Sequence, residues 1–169
     1  STLNTGLSAP SNAVFEFGTG DWTVEAWIYQ RTLSQYSTLI EIGNHALNNA
    51  FAVFNGFDTG NGLAVYSGQF FRAPSGGTII TNQWQFVTVS REQSYLYFSV
   101  NGLVDSPIAF PQNLTSTSAV SVGYPYAHRP NADLDRFRFD GYIDDLRITK
   151  GVARYTSNFT PPTAPFPDF

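Results

Sequence analysis

Apolar and polar positions alternate along much of this chain with a period of two. In "DWTVEAWIY", Trp22, Val24, Ala26 and Ile28 fall on one face and Thr23, Glu25, Trp27 and Tyr29 on the other, because successive side chains of a strand point to opposite faces. Rings on both faces predict a long strand that is partly covered on both sides. "STLIEIGN", "AFAVFNG" and "GLAVYSG" come after it at short spacing, each closed by Gly or Asn, and predict a meander of antiparallel strands. "NQWQFVTVSR" comes next, then "SYLYFSVNGLV", where Asn101 and Gly102 stand between two apolar runs. Both tolerate the positive φ of a type I′ turn, so they mark a tight hairpin. "AVSVGYPY" and "YIDDLRIT" bring the count to about nine or ten strands. No stretch keeps the helical period of about 3.6 residues for more than two turns, and a short helical turn near "KGVARY" is all the helix expected.

Strands in this number without intervening helices predict an all-β fold, an antiparallel two-sheet jelly-roll sandwich. The chain divides into one domain over 1–158 and a tail over 159–169. In "NFTPPTAPFPDF", four Pro forbid a central strand and three Phe argue against a free linker, since free linkers are usually polar. The tail is therefore expected to pack on the domain or on a neighbouring copy.

Composition narrows the function classes. Of 169 residues, 42% are hydrophobic, 16% aromatic and only 13% charged, with a formal net charge of -4. This supplies neither a basic field for nucleic acid nor a cationic arm for anionic membranes. With no Cys and two His, thiolate chemistry and Cys-based zinc sites are excluded. No apolar run reaches the length of a membrane span, and "STLNTGLSAP" lacks the regions of a signal peptide. The absence of Met, an initiator included, suggests a segment excised from something longer.

The densest charge lies in Arg138 to Tyr155, where Asp140, Asp144 and Asp145 precede Arg147, Lys150 and Arg154. Strict alternation puts Tyr142, Asp144, Leu146 and Ile148 on one face and Ile143, Asp145, Arg147 and Thr149 on the other. On that pattern Asp144 points inward and must find donors, while Asp145 and Arg147 form a surface pair. Carboxylates pointing apart cannot act as the pair of a glycosidase, which must flank one substrate.

"DWTVEAWIY", "NQWQFVTVSREQSYLYFSVNGLV" and "FDGYIDDLRIT" together resemble the laminin G-like members of the concanavalin A-like lectin and glucanase superfamily. The resemblance runs from Asp21 to Ile148. It implies framework roles for Glu25, Trp27, Trp84, Asn101, Gly102 and Asp144. The expected opening strand with Phe-Asp-Gly is altered, and the catalytic Glu-x-Asp-x-x-Glu strand of the superfamily's hydrolases is missing. "TKGVARYTSNFTPPTAPFP" is similar to the segment that succeeds this domain in bacteriophage virion proteins, especially of marine phages. The resemblance thus implies a non-enzymatic module on a virion, in a tail fibre, tail or capsid appendage, present in several copies.

Two functions stay open on the sequence: a lectin for host-surface glycan, or a structural or decoration domain that binds other virion proteins. The polar loop "YPYAHRPNADLDRFRFD" offers the lectin chemistry, because rings stack on sugars while polar groups bond to hydroxyls. Its candidate carbohydrate-binding residues are Tyr124, Tyr126, His128, Arg129, Asn131 and Asp133. Packing of its tyrosines on the rim is the competing structural reading. Asp133, Asp135 and Asp140 are candidate oxygens for calcium, the sole cofactor the chain suggests, although the Gly and Glu of an EF-hand loop are missing. His45 has no nearby His partner and reads as a loop residue.

Overall fold

The computed structural model describes residues 6–55, 61–73, 77–125 and 137–167. Twelve strands form among them: β1 Leu7–Ala9, β2 Trp22–Thr32, β3 Ser37–Ile42, β4 Phe51–Asn55, β5 Leu63–Tyr66, β6 Phe70–Arg72, β7 Trp84–Glu92, β8 Tyr95–Val100, β9 Leu103–Val104, β10 Ile108–Ala109, β11 Val120–Val122 and β12 Asp140–Lys150. The first sheet runs β1-β11-β3-β4-β5-β6. The second runs β10-β8-β7-β2-β12, with β9 on β8. Every pairing is antiparallel. The chain is an all-β sandwich of the concanavalin A-like, jelly-roll kind.

Alternation decides what fills the space between the sheets. Trp22, Val24, Ala26 and Ile28 of β2 and Val87 and Val89 of β7 face Ile42, Phe51, Val53 and Val65 of the first sheet, all of them buried. Trp22 stacks on Phe51 at 4.6 Å and meets Phe110 edge to face at 6.4 Å. Each such large side chain contributes about 1.5 to 3 kcal/mol on leaving water. The Asn-Gly hairpin forms as expected: Val100 pairs with Leu103, and Asn101 and Gly102 have φ of 52° and 83°. The short helical turn allowed at most near residues 150–155 is absent, Lys150 ending β12 and 151–155 being irregular. A 3-10 turn lies instead at Ala13–Phe15, where the Asn12 side chain accepts a hydrogen bond from the Val14 N–H.

Strict alternation fails in β12. Asp144 pairs with Trp27, but Arg147, three residues on, pairs with Glu25, only two residues back along β2. The extra residue is a bulge at Asp145, whose φ is 49°. It reverses the facing of everything after it. Ile143, Leu146 and Ile148 all pack on the core, whereas Tyr142, Asp144 and Arg147 share the outer face with Trp27 and Glu25. Asp144 is consequently exposed; the expectation that it is buried and accepts several hydrogen bonds is wrong. The expected Asp145–Arg147 surface pair is also wrong, since Arg147 bonds to Glu25 instead.

Beyond β12 the chain returns across the outer face of the second sheet. Its backbone is held by Thr23, whose hydroxyl donates to the Val152 carbonyl at 2.9 Å and accepts from the Arg154 N–H at 2.9 Å. The Tyr155 N–H then donates to the Ser90 hydroxyl at 3.3 Å, and the Phe159 N–H to the Gly102 carbonyl at 3.0 Å. Small polar side chains that face outward on β2 and β7 thus supply hydrogen-bond partners to a segment that joins no strand ladder. The rings run with the backbone. Phe159 stacks on Tyr155 at 4.1 Å, and both Phe159 and Phe166 meet Phe86 edge to face.

Candidate functional site

Four rows of side chains cross the outer face of the second sheet. Tyr142, Tyr29 and Trp84 lie side by side, then Asp144, Trp27 and Phe86, then Arg147, Glu25 and Thr88, then Thr149, Thr23 and Ser90. The tail covers the last two rows and Phe86. The first row stays open. Trp84 is 46% exposed and Tyr142 59%, and Tyr29 between them lies 5.7 Å from Trp84 and 5.9 Å from Tyr142, centroid to centroid. An edge-type contact of Tyr29 with Trp84 and a tilted one with Tyr142 join the three as one aromatic platform.

At the boundary between platform and tail lies a cleft of about 520 Å³, lined by Trp27, Trp84, Asp144 and Asp145 from the sheet and by Pro162 to Pro165 from the tail. The bulge brings both aspartates to one cleft. Such a cleft offers ring faces, two carboxylates and a proline wall, a combination suited to a ligand with apolar faces and directional polar groups.

Glu25 is built into the framework beneath the tail. It is fully buried, accepts from Arg147 Nε at 2.7 Å and from the Tyr155 hydroxyl at 2.5 Å, and lies 3.7 Å from Arg154 Nε. The bond to Glu25 raises the Arg147 pKa further. Burial, and then the same carboxylate, push the Tyr155 phenol up to about 12. The Arg147 guanidinium carbon also sits 3.7 Å from the centre of the Phe166 ring, a cation–π contact that ties the tail to β12. Asn101 accepts from the Phe86 N–H at 2.9 Å through its side chain, and a Cβ on Gly102 would stand 2.0 Å from the Phe159 carbonyl oxygen.

The loop candidates fare differently. Tyr126, His128, Arg129, Asn131, Asp133 and Asp135 lie outside the described residues. Tyr124 is only 4% exposed and presents no free ring face on which a sugar could stack. A cleft of about 500 Å³ opens beside it, lined among others by Arg31, Thr32, Ser34, Arg138 and Asp140. Asp140 pairs with Arg31 and accepts from the Thr32 hydroxyl at 2.5 Å, and these partners, Thr32 first, lower its pKa. A calcium ion at Asp140 would compete with Arg31 for the same oxygens. Among the described residues no three His, Asp or Glu side chains come together to hold a metal. His45 lies in the turn between β3 and β4, as expected of a loop residue, but it is buried: it is 5% exposed, bonds to buried Glu41 through Nδ1, and meets Phe54 and Tyr66 edge to face.

Sequence reasoning singled out Trp27 and Trp84 as framework and missed their association with Tyr29, Tyr142 and Asp145. Part of the signal was present, since alternation in "DWTVEAWIY" already put Glu25, Trp27 and Tyr29 on one face.

Comparison with known proteins places this geometry in a family. The profile of the concanavalin A-like lectin/glucanases superfamily, in its laminin G-like form, matches residues 2–154. No match is found among curated proteins. Among solved structures, domain 4 of AbnA, a GH43 extracellular arabinanase from Geobacillus stearothermophilus solved with arabinotriose, is similar with a TM-score of 0.69 and 21% identity, over 89% of this chain and 69% of that one. The CBM40 of a Ruminococcus gnavus IT-sialidase gives 0.59 and 13%, over 87% and 92%. Domains LG4-5 of the mouse laminin alpha1 chain give 0.54 and 16%, over 96% and 44%. The two-sheet sandwich and the profile across nearly the whole chain agree: this chain belongs to the concanavalin A-like lectin/glucanases superfamily as a laminin G-like domain.

Proposed function

We propose that the domain is a non-enzymatic carbohydrate-binding module whose ligand lies on the platform of Tyr142, Tyr29 and Trp84 and in the cleft beside it. The observation that carries this reading is a row of three packed rings, of which Trp84 and Tyr142 are half exposed, next to a cleft lined by two aspartates. Sugar rings have apolar C–H faces that stack on aromatic rings, and hydroxyls that the aspartates can accept from. Two of the similar domains support it by their names, one solved with arabinotriose and one a carbohydrate-binding module of a sialidase. Against catalysis stands Glu25, the strand glutamate nearest Trp27, which is sealed under the tail and bonded to Arg147 and Tyr155. The setting we propose is a phage virion that displays several copies and adsorbs to host-surface glycan; its support is the similarity of residues 149–167 to virion proteins.

A glycan panel tests the reading. Trp84→Ala and Tyr142→Ala should each weaken binding at least tenfold while leaving the unfolding midpoint nearly unchanged, since both rings are half exposed. Bound oligosaccharide should be recovered intact. Binding indifferent to these substitutions but abolished by Tyr126→Ala with Asn131→Ala would move the ligand to the 124–140 loop. Shortened products, lost when Asp144 and Asp145 are changed to Asn, would make the domain a hydrolase.

A further inference from the structure

The charge balance of the cleft bears on which sugars it takes. Asp144 and Asp145 both line it. Their one hydrogen bond to each other runs from the Asp145 N–H to Asp144 Oδ1 at 2.9 Å, and neither forms an ion pair among the described residues. The cations that could neutralise them are engaged elsewhere. Arg147 donates to Glu25 and lies under Phe166. Arg154 donates Nε to the Thr149 hydroxyl at 3.0 Å and also lies by Glu25. Arg31 pairs with Asp140. Two aspartates without an ion pair thus line a cleft together with the exposed Trp84, the half-buried Trp27 and a wall of tail residues.

Each class of sugar meets this arrangement differently. A uronic or sialic acid brings a like charge against two aspartates. A neutral sugar gains stacking and ordinary hydrogen bonds. A sugar with a free amine gains charge-assisted bonds to the carboxylates, stronger than neutral ones, and its ammonium is also attracted by the indole faces beside them. We propose that Asp144 and Asp145, set between Trp27 and Trp84, make this cleft selective for glycans that carry free amino groups. The inference rests on the carbohydrate-binding reading above, whose platform it uses. The Asp145 bulge is the device that creates the selectivity, because regular pairing would leave only one of two adjacent residues on this face.

The test compares a fully deacetylated glucosamine oligosaccharide with its fully N-acetylated form and with a galacturonate oligosaccharide. It is run by titration calorimetry at a mildly acidic pH, where the sugar amine carries its proton. The deacetylated form should bind about two- to fivefold more tightly than the acetylated form, as exposed charge pairs allow, and the galacturonate should not bind. The preference should shrink with added salt and vanish when both aspartates are changed to Asn, while Trp84→Ala weakens both glucosamine forms. Equal binding of the two forms, with Trp84→Ala still weakening both, would overturn the amino-sugar inference and keep the carbohydrate reading. Acetylated sugar bound only with added calcium would overturn the inference in the same way. Cationic binding indifferent to Trp84→Ala would count against both, as bulk attraction to an acidic protein.

Discussion

Glu25 shows how one side chain can hold a surface segment in place. A carboxylate that loses all its water carries a penalty of several kcal/mol unless hydrogen-bond donors, a cation among them, replace the solvent, and here Arg147 and Tyr155 do so from two different segments. Arg147→Met should therefore cost about 2 to 3 kcal/mol, toward the lower end for a broken buried pair because Arg147 keeps 22% of its side-chain surface. Glu25→Leu combined with Arg147→Met should cost clearly less than the two single changes summed, since neither charge is then stranded. Denaturant unfolding of the three variants measures this, and simple additivity would refute the coupling. Tyr155 adds a pH dependence. Its phenol is held up to about 12 in the fold against an ordinary value of 10.0, so the folded state keeps a proton that the unfolded chain gives up. The stabilisation is complete below pH 10, and it fades as pH rises toward 12. Tyr155→Phe should flatten that part of the alkaline limb, as read from unfolding midpoints at stepped pH; an unchanged difference between variant and parent across this window would exclude the phenol as its source.

At the scale of elements, the tail behaves as part of the sandwich. It supplies one wall of the cleft and closes Phe86 and Glu25 from solvent. Removal of residues 159–169 should lower stability by about 2 to 4 kcal/mol, from the loss of two partly buried Phe rings. It should also promote aggregation and weaken glycan binding. Gly102→Ala should act in the same direction: the residue needs a φ of 83°, and its new Cβ would collide with the Phe159 carbonyl. Melting curves for both variants would decide, and midpoints equal to the parent's would show that the tail contributes nothing to the fold. The Pro and Phe content of the tail indicated contact with something. Its partners, Tyr155, Phe86, Gly102 and Arg147, come from segments far apart in sequence, so no local pattern could name them.

For the whole molecule, the carbohydrate-binding proposal carries an expectation about valency: a single open site of about millimolar affinity, near -4 kcal/mol, would support adsorption only where several copies act together. What the sequence by itself determined is the sandwich: the strands, the cover on both faces of β2, and the Asn101-Gly102 hairpin. These arise from periods of two and from turn chemistry, both encoded within a few residues. It also identified Glu25, Trp27 and Trp84 as positions of consequence. Only the tertiary structure decided the facing of β12, because a bulge is a mismatch between two strands and neither strand records it alone. That one residue moved Asp144 from the expected core to the cleft, put Asp145 beside it, and turned Arg147 onto Glu25. The site is likewise a product of packing, since residues near 27, 84, 144 and 163 meet only after the sheet has formed and the tail has crossed it.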